Sequence, residues 1–173
     1  MNLPQPFDSF DEASRALLEL LHERYGFDLW MVTRTNGDDW VVLSALDHGY
    51  SVQPGDVFRW KDSLCSRMVQ GLGPRIAPRA DDIAAYREAP IAAIVPIKSY
   101  IGIPLAGADG EFFGTLCAID PKPQSAELVA EKPVLEAFAR LLSGLLAKEL
   151  KADEAERRAE RAESESLTDH LTG

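Results

Sequence analysis

Cysteine and histidine are the residues of this sequence whose side chains could act as nucleophiles, redox groups or soft metal ligands. Cys65 and Cys117 are 52 positions apart, and neither belongs to a CxxC motif or has a histidine beside it. His22, His48 and His170 are scattered over a predicted helix, a loop and the C-terminal end. This spacing matches neither a zinc site nor a disulfide framework. The thiols could form a redox pair, but the default for both is a small buried hydrophobic side chain.

A second set of candidate residues lies around a short helix in the middle of the chain and at two tyrosines. If that helix covers a pocket, its aromatic and methionine side chains would form apolar walls, and Arg67 or Asp62 would bind a charged group of a ligand. A buried tyrosine would add a hydroxyl that orients the ligand. Alternatively the apolar members are core, Asp62 only caps the helix, and Arg67 is solvated. The candidate ligand-binding residues are Trp60, Asp62, Ser63, Cys65, Arg67, Met68, Tyr86 and Tyr100.

The elements that precede this set are a helix and a pair of strands. Ser9 followed by Glu12 has the form of a capping box, and leucines recur at helical spacing until Gly26 ends the helix. The next two apolar runs alternate like strands and are joined by Asn36-Gly37, which favours the positive φ angles of a tight turn. The sequence therefore predicts a helix followed by an antiparallel hairpin.

The segment between Pro54 and Pro96 is rich in proline and glycine and is predicted to be irregular. Its exception is the short helix, which we expect Asp62 to cap and Gly71 to end. Long irregular segments inside a compact domain often cover a ligand. This segment is therefore the predicted functional region.

A second hairpin and a long helix complete the pattern. Strands are predicted over 99–105 and 112–119, with an Asp-Gly turn between them. The final helix is expected to begin near Glu131, because Pro133 is tolerated only in a first turn, and to continue to about Thr168.

The second half of the long helix has a seven-residue repeat typical of a coiled coil. Most of its a and d positions are alanine, which buries little surface, so the seam should be weak. The alternative is a solvated single helix held by pairs such as Glu154 with Arg158. We favour a parallel homodimer, because a marginal seam suits a transmitter with two states of similar free energy. The predicted seam residues are Leu141, Leu145, Lys148, Ala152, Ala155, Ala159, Ala162 and Ser166.

The composition excludes several classes of partner. With 28 acidic against 18 basic residues, the chain carries a net charge of −10, whereas nucleic acid and anionic membranes bind cationic surfaces. The sequence also shows neither a membrane-spanning run nor the cationic-then-apolar order of a secretion signal. We therefore expect a cytoplasmic protein with no nucleic-acid or membrane partner.

The stretch SYIGIPLAGADGEFFGTLCAIDPKP resembles the last two strands of GAF domains, in its Asp109-Gly110 turn and in the run from Gly114 to Ala118. The order of elements over residues 8–148, with a final helix from about 133, is also similar to that family. The resemblance implies an α+β fold with a central antiparallel sheet of five or six strands. It further implies terminal helices on one face of the sheet and a small-molecule pocket on the other.

The final residues, LTDHLTG, resemble the opening of GGDEF diguanylate cyclase domains. We therefore expect a GAF sensor over 8–148, a coiled-coil signalling helix over 149–168, and the truncated start of a GGDEF domain over 169–173. The resemblance implies a bacterial signalling protein in which a small molecule controls synthesis of c-di-GMP from GTP through a dimeric helix. We expect the fragment itself not to be an enzyme, and the full-length protein to be a diguanylate cyclase.

Two rival functions are a cysteine-based redox sensor or enzyme of GAF fold, through Cys65 and Cys117, and a dimerisation scaffold without a ligand. Bilin-binding members of the family usually have a histidine after the cysteine, where this chain has Ser66. The Asn-Lys-x-x-x-Phe-Asp-Glu signature of nucleotide-binding GAF domains is also missing. We therefore expect a small-molecule ligand of unknown identity, and neither bilin nor haem.

Overall fold

The centre of the molecule is a six-stranded antiparallel sheet, which the computed structural model describes together with the rest of residues 1–172. The strands in chain order are β1 (Leu29–Asn36), β2 (Asp39–Asp47), β3 (Val57–Arg59), β4 (Ile76–Ala77), β5 (Ser99–Ala106) and β6 (Phe112–Asp120). In space they follow the order β3-β2-β1-β6-β5-β4. The two predicted hairpins, β1-β2 and β5-β6, thus lie side by side and pair through β1 and β6. The predicted fold is confirmed.

Two helices from the two ends of the chain pack on one face of the sheet. Helix α1 (Phe10–Tyr25) begins at Ser9, whose Oγ accepts a hydrogen bond from the Glu12 amide at 3.1 Å. The Glu12 carboxylate accepts from the Asp8 amide at 2.9 Å instead of from that of Ser9, so the predicted capping box forms only in its first half. The second helix, Lys132–Thr172, follows a 3-10 turn that ends at residue 131.

The face of the sheet beneath these helices is an apolar core. Trp30 of β1, Leu21 of α1 and Leu135 of the final helix are all fully buried there. The Trp30 indole donates from Nε1 to the carbonyl oxygen of Gly26 at 2.7 Å, which ties the end of α1 to the sheet. Burial of large side chains on this face stabilises the arrangement of both helices.

A second apolar core covers the opposite face, beneath the irregular middle of the chain. That region contains α2 (Leu64–Val69), α3 (Ala84–Arg87) and several 3-10 turns. Because side chains alternate along a strand, Met31 faces this core, and Tyr100 faces it while its neighbour Ile101 faces the helices. The predicted irregular segment is therefore more structured than its composition suggested.

The predicted N-terminal cap of α2 is wrong. Asp62 lies in a 3-10 turn, Trp60–Asp62, whereas the capping residue is Ser63. Ser63 has the extended backbone that a cap requires, with φ −84° and ψ 157°, and its Oγ accepts from the Ser66 amide at 3.1 Å. The 3-10 turn moves the start of the helix by one residue.

The final helix, α4 (Lys132–Thr172), continues past the predicted end at Thr168. Residues 169–172, predicted to open a GGDEF domain, are helical, and Gly173 lies outside the described residues. At about 1.5 Å per residue, α4 is roughly 60 Å long. Every residue from 151 to 171 is exposed; we call this segment the rod. Of the helices within residues 1–172, none has the length and apolar character needed to cross a membrane.

Candidate functional site: a cavity beneath the irregular segment

A cavity of about 470 Å³ lies between the sheet and the irregular middle of the chain, on the face opposite α1 and α4. Small-molecule sites typically measure roughly 300 to 1,000 Å³. The floor of the cavity consists of side chains from four strands, Leu29, Met31, Trp40, Tyr100, Cys117 and Ile119, and of Cys65 from α2 at its edge. Apart from Cys65, the floor residues belong to one paired sheet.

The walls of the cavity come from the irregular segment and from the loop before it. The wall segments are residues 50–52, 56–59, 62–64 and 91–97. The Tyr50 hydroxyl donates to the carbonyl oxygen of Pro96 at 2.7 Å and so joins the first wall segment to the last. Ile94, which also lines the cavity, is 74% exposed. An apolar side chain in this position contacts both solvent and the cavity, and it marks the mouth.

The loop that carries Tyr50 is held in place by the carboxylate of Asp47. The carboxylate accepts hydrogen bonds from the amides of Gly49, Tyr50 and Val52, at 3.1, 2.8 and 3.1 Å. Burial raises the pKa of Asp47, but these backbone hydrogen bonds outweigh burial and lower the pKa below its ordinary value. Within this loop Ser51 has φ 59°, a left-handed conformation that is uncommon for residues other than glycine. The Asp47 hydrogen bonds and this turn of the backbone together fix the position of the loop in the cavity wall.

The cavity brings together four of the eight candidate ligand-binding residues. Asp62, Ser63 and Cys65 line it from the start of α2, and Tyr100 lines it from β5. The charged groups of the lining lie in the walls, at Asp56, Arg59 and Asp62, while the floor is apolar apart from Tyr100 and the cysteine thiols. The arrangement suits a mainly apolar ligand with one polar end.

The other four candidates lie outside the cavity lining, and each has a structural role. Met68 is buried in the core of this face, and Trp60 packs edge-on against Trp40 with ring centroids 6.1 Å apart. Arg67 is half-buried and does not line the cavity. Its guanidinium donates to the carbonyl oxygens of Lys61 and Ser63, which stabilises the turn before α2.

Tyr86, the fourth, lies in α3 and is buried beside the cavity, in the core on the same face of the sheet. Its ring packs edge-on against Tyr100 with centroids 4.9 Å apart, and its hydroxyl donates to the carbonyl oxygen of Pro74. Burial raises the pKa of both Tyr86 and Tyr100, so both phenols stay protonated at neutral pH. Tyr100 can lie along its own strand because Gly102 has no side chain there; a Cβ on Gly102 would be 1.8 Å from the Tyr100 hydroxyl.

The structure brings the two cysteines together although the sequence separates them. Both are buried and both line the cavity floor, Cys65 from α2 and Cys117 from β6. The Tyr100 hydroxyl donates to Cys65 Sγ at 3.2 Å. The default prediction of buried side chains and the predicted redox pair are both compatible with this position.

Two of the histidines also meet, contrary to their scatter along the sequence. The rings of His22 and His48 stack with centroids 4.2 Å apart, and His22 Nδ1 lies 3.1 Å from the carbonyl oxygen of Phe27. Within residues 1–172, no group of three or more His, Cys, Asp and Glu side chains is placed to bind a metal ion. The stack connects α1 to the loop after β2.

Sequence reasoning missed the apolar side chains of the cavity walls. They are Val52, Val57, Phe58, Ile91, Ile94, Val95 and Ile97. The run IAAIVPI carries most of them, and its high content of isoleucine and valine in a proline-rich segment was the available signal. Apolar side chains in an irregular segment are removed from water only if they pack against another part of the protein, and here they pack around the cavity.

The predicted seam of α4 divides into two parts. Leu145 is half-buried and packs against its own domain, whereas Leu141 is 66% exposed. In the rod, all four alanines occupy predicted seam positions, so the small residues form one stripe. The rod makes intrahelical pairs on its other faces, such as Arg158 Nη2 with Glu154 Oε1 at 2.6 Å.

A search with family models matches residues 9–146 to the GAF domain. This chain belongs to the GAF family. The matched residues include the whole cavity lining and the first part of α4. The GAF domain from the Acinetobacter phosphoenolpyruvate-protein phosphotransferase has the same fold, with a TM-score of 0.64 at 15% identity over 82% of this chain and 84% of that one.

Two curated relatives have names in c-di-GMP metabolism. Cyclic di-GMP phosphodiesterase PA2567 of Pseudomonas aeruginosa is 35% identical over 83 residues, which is 47% of this chain and 14% of that protein. Diguanylate cyclase DgcP of Escherichia coli K12 is 29% identical over 117 residues, which is 66% of this chain and 32% of that protein. The GAF chain therefore matches a third or less of either relative.

Proposed function

We propose that this GAF domain binds a small molecule in its cavity and that binding controls a diguanylate cyclase domain connected to the rod. One observation carries the proposal. The last helix of the cavity-bearing domain continues without a break into a rod that its own domain does not cover. A change in how the domain holds α4 would therefore be passed directly to whatever follows the rod.

The contact between α4 and the sheet supports this coupling. The Ala106 amide at the end of β5 donates to Ser143 Oγ of α4 at 3.1 Å, and Arg75 pairs with Glu136 of α4 at 2.8 Å. Strand β5 also carries Tyr100 in the cavity floor. One strand therefore contacts both the ligand site and the signalling helix, which gives the two a contiguous physical connection.

The exposure of the rod supports a parallel homodimer. A helix gains most of its stability from packing an apolar face, and the rod packs on nothing within its own domain. The predicted repeat also extends towards the start of α4, where Val134 and Leu141 are one heptad apart and 38% and 66% exposed. Their exposure, together with the alanine stripe, provides a continuous face for a second copy.

The names of the relatives support the choice of output. One relative is named a diguanylate cyclase and the other a cyclic di-GMP phosphodiesterase, so both act in c-di-GMP metabolism. The cyclase fits the resemblance of the last residues to the start of a GGDEF domain. Cytoplasmic location and the absence of nucleic-acid and membrane partners stay predictions from the sequence.

Native mass spectrometry of the purified chain tests the sensor and the dimer together. We expect twice the chain mass, and either a retained small molecule or thermal stabilisation by a member of a metabolite panel. Val57→Trp should fill the cavity and abolish that stabilisation, whereas Val69→Trp, at an exposed valine outside the lining, should not. A dimer that binds nothing would favour a scaffold, and a monomer would refute the dimeric transmitter.

A cyclase joined in frame after the rod tests the output. Inserting seven residues keeps a heptad seam in phase, whereas inserting four shifts it. We expect the seven-residue insertion to retain ligand-dependent c-di-GMP synthesis and the four-residue insertion to uncouple synthesis from ligand. Equal activity and equal ligand response in both proteins would contradict transmission through a paired rod.

A further inference from the structure

The thiols of Cys65 and Cys117 form an interacting pair at one point of the cavity floor. They are 1% and 2% exposed, yet both are part of the cavity lining. Strand register pairs Cys117 with Gly102, and the Tyr100 hydroxyl lies directly over Gly102. That hydroxyl donates to Cys65 Sγ at 3.2 Å, so the two cysteines are neighbours around it. A thiol hidden from bulk solvent but open to a cavity is accessible only to molecules that enter the cavity.

A chain of polar side chains leads to this pair from the side of β1 and β2. The Trp40 indole donates from Nε1 to Thr33 Oγ1 at 2.9 Å, and Thr33 Oγ1 lies 2.7 Å from Thr115 Oγ1. Thr115 is two residues before Cys117 on β6, so its side chain lies on the same face of the sheet as that thiol. The network is buried and ends beside Cys117 in an otherwise apolar core.

The surroundings make the two thiols unequal. Burial raises the pKa of Cys65, but the hydrogen bonds from Cys117, Tyr100 and Thr115 outweigh burial, and the net shift is downward. The pKa of Cys117 is raised well above its ordinary value, by its hydrogen bond to Cys65 and then by burial. Cys65 is therefore the thiol that ionises first, which makes it the better nucleophile.

The groups that face Cys65 favour an uncharged reagent. Besides Cys117, its titratable neighbours are Tyr100 and Tyr86, and the cavity walls carry Asp56, Asp62 and Arg59. Arg59 already pairs with Asp38 at 3.5 Å, and the floor beside the sulfur is apolar, so an anionic oxidant would lose its hydration there without gaining a partner. A neutral hydroperoxide can cross such a space and bring its O–O bond to the sulfur.

We propose that the cavity floor is an oxidation site, at which a neutral hydroperoxide converts Cys65 and Cys117 into a reversible disulfide. The Cys65 thiolate attacks one peroxide oxygen, the O–O bond breaks, and the released alkoxide takes up a proton, leaving a sulfenic acid. The Cys117 sulfur then attacks the Cys65 sulfur, the S–O bond breaks, and water leaves with the Cys117 proton. In sum, two thiols and one hydroperoxide give one disulfide, one alcohol and one water.

This site goes beyond the proposed ligand sensing and does not depend on it. A disulfide would link α2 to β6 across the floor of the cavity, so oxidation would change the shape of the site whatever else binds there. Reduction by a cellular dithiol would restore the thiols, as is typical of intracellular disulfides that act as sensors. If no metabolite binds, the oxidation site still stands.

Peroxide titration of the whole 173-residue chain, followed by peptide mapping, tests the proposal. We expect hydrogen peroxide and tert-butyl hydroperoxide to produce an intramolecular Cys65–Cys117 disulfide with loss of two hydrogens, reversed by dithiothreitol. A faster reaction with the apolar hydroperoxide would identify organic hydroperoxides as the source, and a faster reaction with hydrogen peroxide would identify the inorganic one. Two free thiols after prolonged exposure, or oxygen added to either sulfur without a disulfide, would overturn the proposal.

Single variants test the assigned order of the two sulfurs. Cys117→Ser should stop at a sulfenic acid on Cys65 that dimedone traps, whereas Cys65→Ser should give no trapped product. Tyr100→Phe should slow disulfide formation at neutral pH roughly three- to tenfold and move the midpoint of the pH-rate profile upward, because it removes a donor to the thiolate. Equal trapping in both serine variants would refute the order, and an unchanged profile in Tyr100→Phe would refute the role of the hydroxyl.

Discussion

The domain over residues 9–146 and the rod that follows it are stabilised by different interactions. In the domain, two apolar cores on opposite faces of one sheet hold each element by burial. In the rod, every residue from 151 to 171 is exposed, and helical propensity with intrahelical pairs is all that the chain itself supplies. The contrast teaches that burial fixes the arrangement of the domain, whereas residues 1–150 do not bury the rod. Under the proposed function the rod takes its arrangement from a second copy, so a small free-energy change in the domain would redirect it.

The largest expected effect separates buried from exposed leucine on the same helix. Leu135→Ala should lower the free energy of unfolding by about 2 to 5 kcal/mol, because Leu135 is fully buried between α4 and the sheet. Leu141→Ala, at a site 66% exposed, should change it by less than about 0.5 kcal/mol in dilute protein. Urea unfolding measures both. Equal losses would mean that Leu141 is buried against a partner at the working protein concentration, and dilution should then remove the loss for Leu141→Ala.

Two glycine-to-alanine substitutions compare the effect of an added methyl group in the packed cavity floor with its effect on the open surface of α4. Gly102→Ala would place a Cβ 1.8 Å from the Tyr100 hydroxyl, so that ring must move, at a cost of about 1 to 3 kcal/mol. Gly144→Ala, on α4 with no atom near the new Cβ, should stabilise by up to about 1 kcal/mol through helix propensity. In thermal melting, the melting temperature should be lower than wild type for Gly102→Ala and higher than wild type for Gly144→Ala. A stable Gly102→Ala protein would contradict the tight packing of the cavity floor.

A larger apolar side chain in the alanine stripe should strengthen association of two rods, because it would give the rod a buried apolar contact like those of the domain. Ala159→Leu places a large side chain at a seam position in both copies and should lower the dimer dissociation constant at least about tenfold. Arg157→Leu adds the same side chain off the seam and is the matched control. Analytical ultracentrifugation over a dilution series measures both. Tighter association of the control than of the seam variant would move the interface to another face.

The smallest expected effect concerns acid stability. Because the pKa of Asp47 is lowered in the folded state, its carboxylate stabilises the domain above about pH 4, and this contribution is lost as the pH falls through the folded-state pKa. The melting temperature of Asp47→Asn should therefore fall less between about pH 4 and pH 2 than that of the wild type. Asp153→Asn, in the rod, is the control and should keep the wild-type curve. An unchanged curve in Asp47→Asn would mean that the loop after β2 is held by other contacts.

Much of the fold could be predicted because its signals are local. Alternation along the strands, the glycines that end helices and turns, and the leucine spacing of α1 and α4 each depend on residues a few positions apart. The failures were local as well. Asp62 and Ser63 are both good caps, and only the 3-10 turn over Trp60–Asp62 decides between them. The extension of α4 past Thr168 reflects helix continuity, which no stop signal interrupts.

The sequence by itself determined the order of elements, the family and the alanine stripe of the rod, because periodicity and short motifs carry that information. Only the tertiary structure decided which candidates share the cavity. Tyr100 and Cys65 meet there, whereas Met68 and Tyr86 do not line it, because strand pairing and the path of the irregular segment set distances between residues far apart in the chain. Cys65 comes near Cys117 for the same reason. Strand register sets Cys117 beside Gly102, where the Tyr100 hydroxyl reaches Cys65, and no pattern in the 51 intervening residues encodes this meeting.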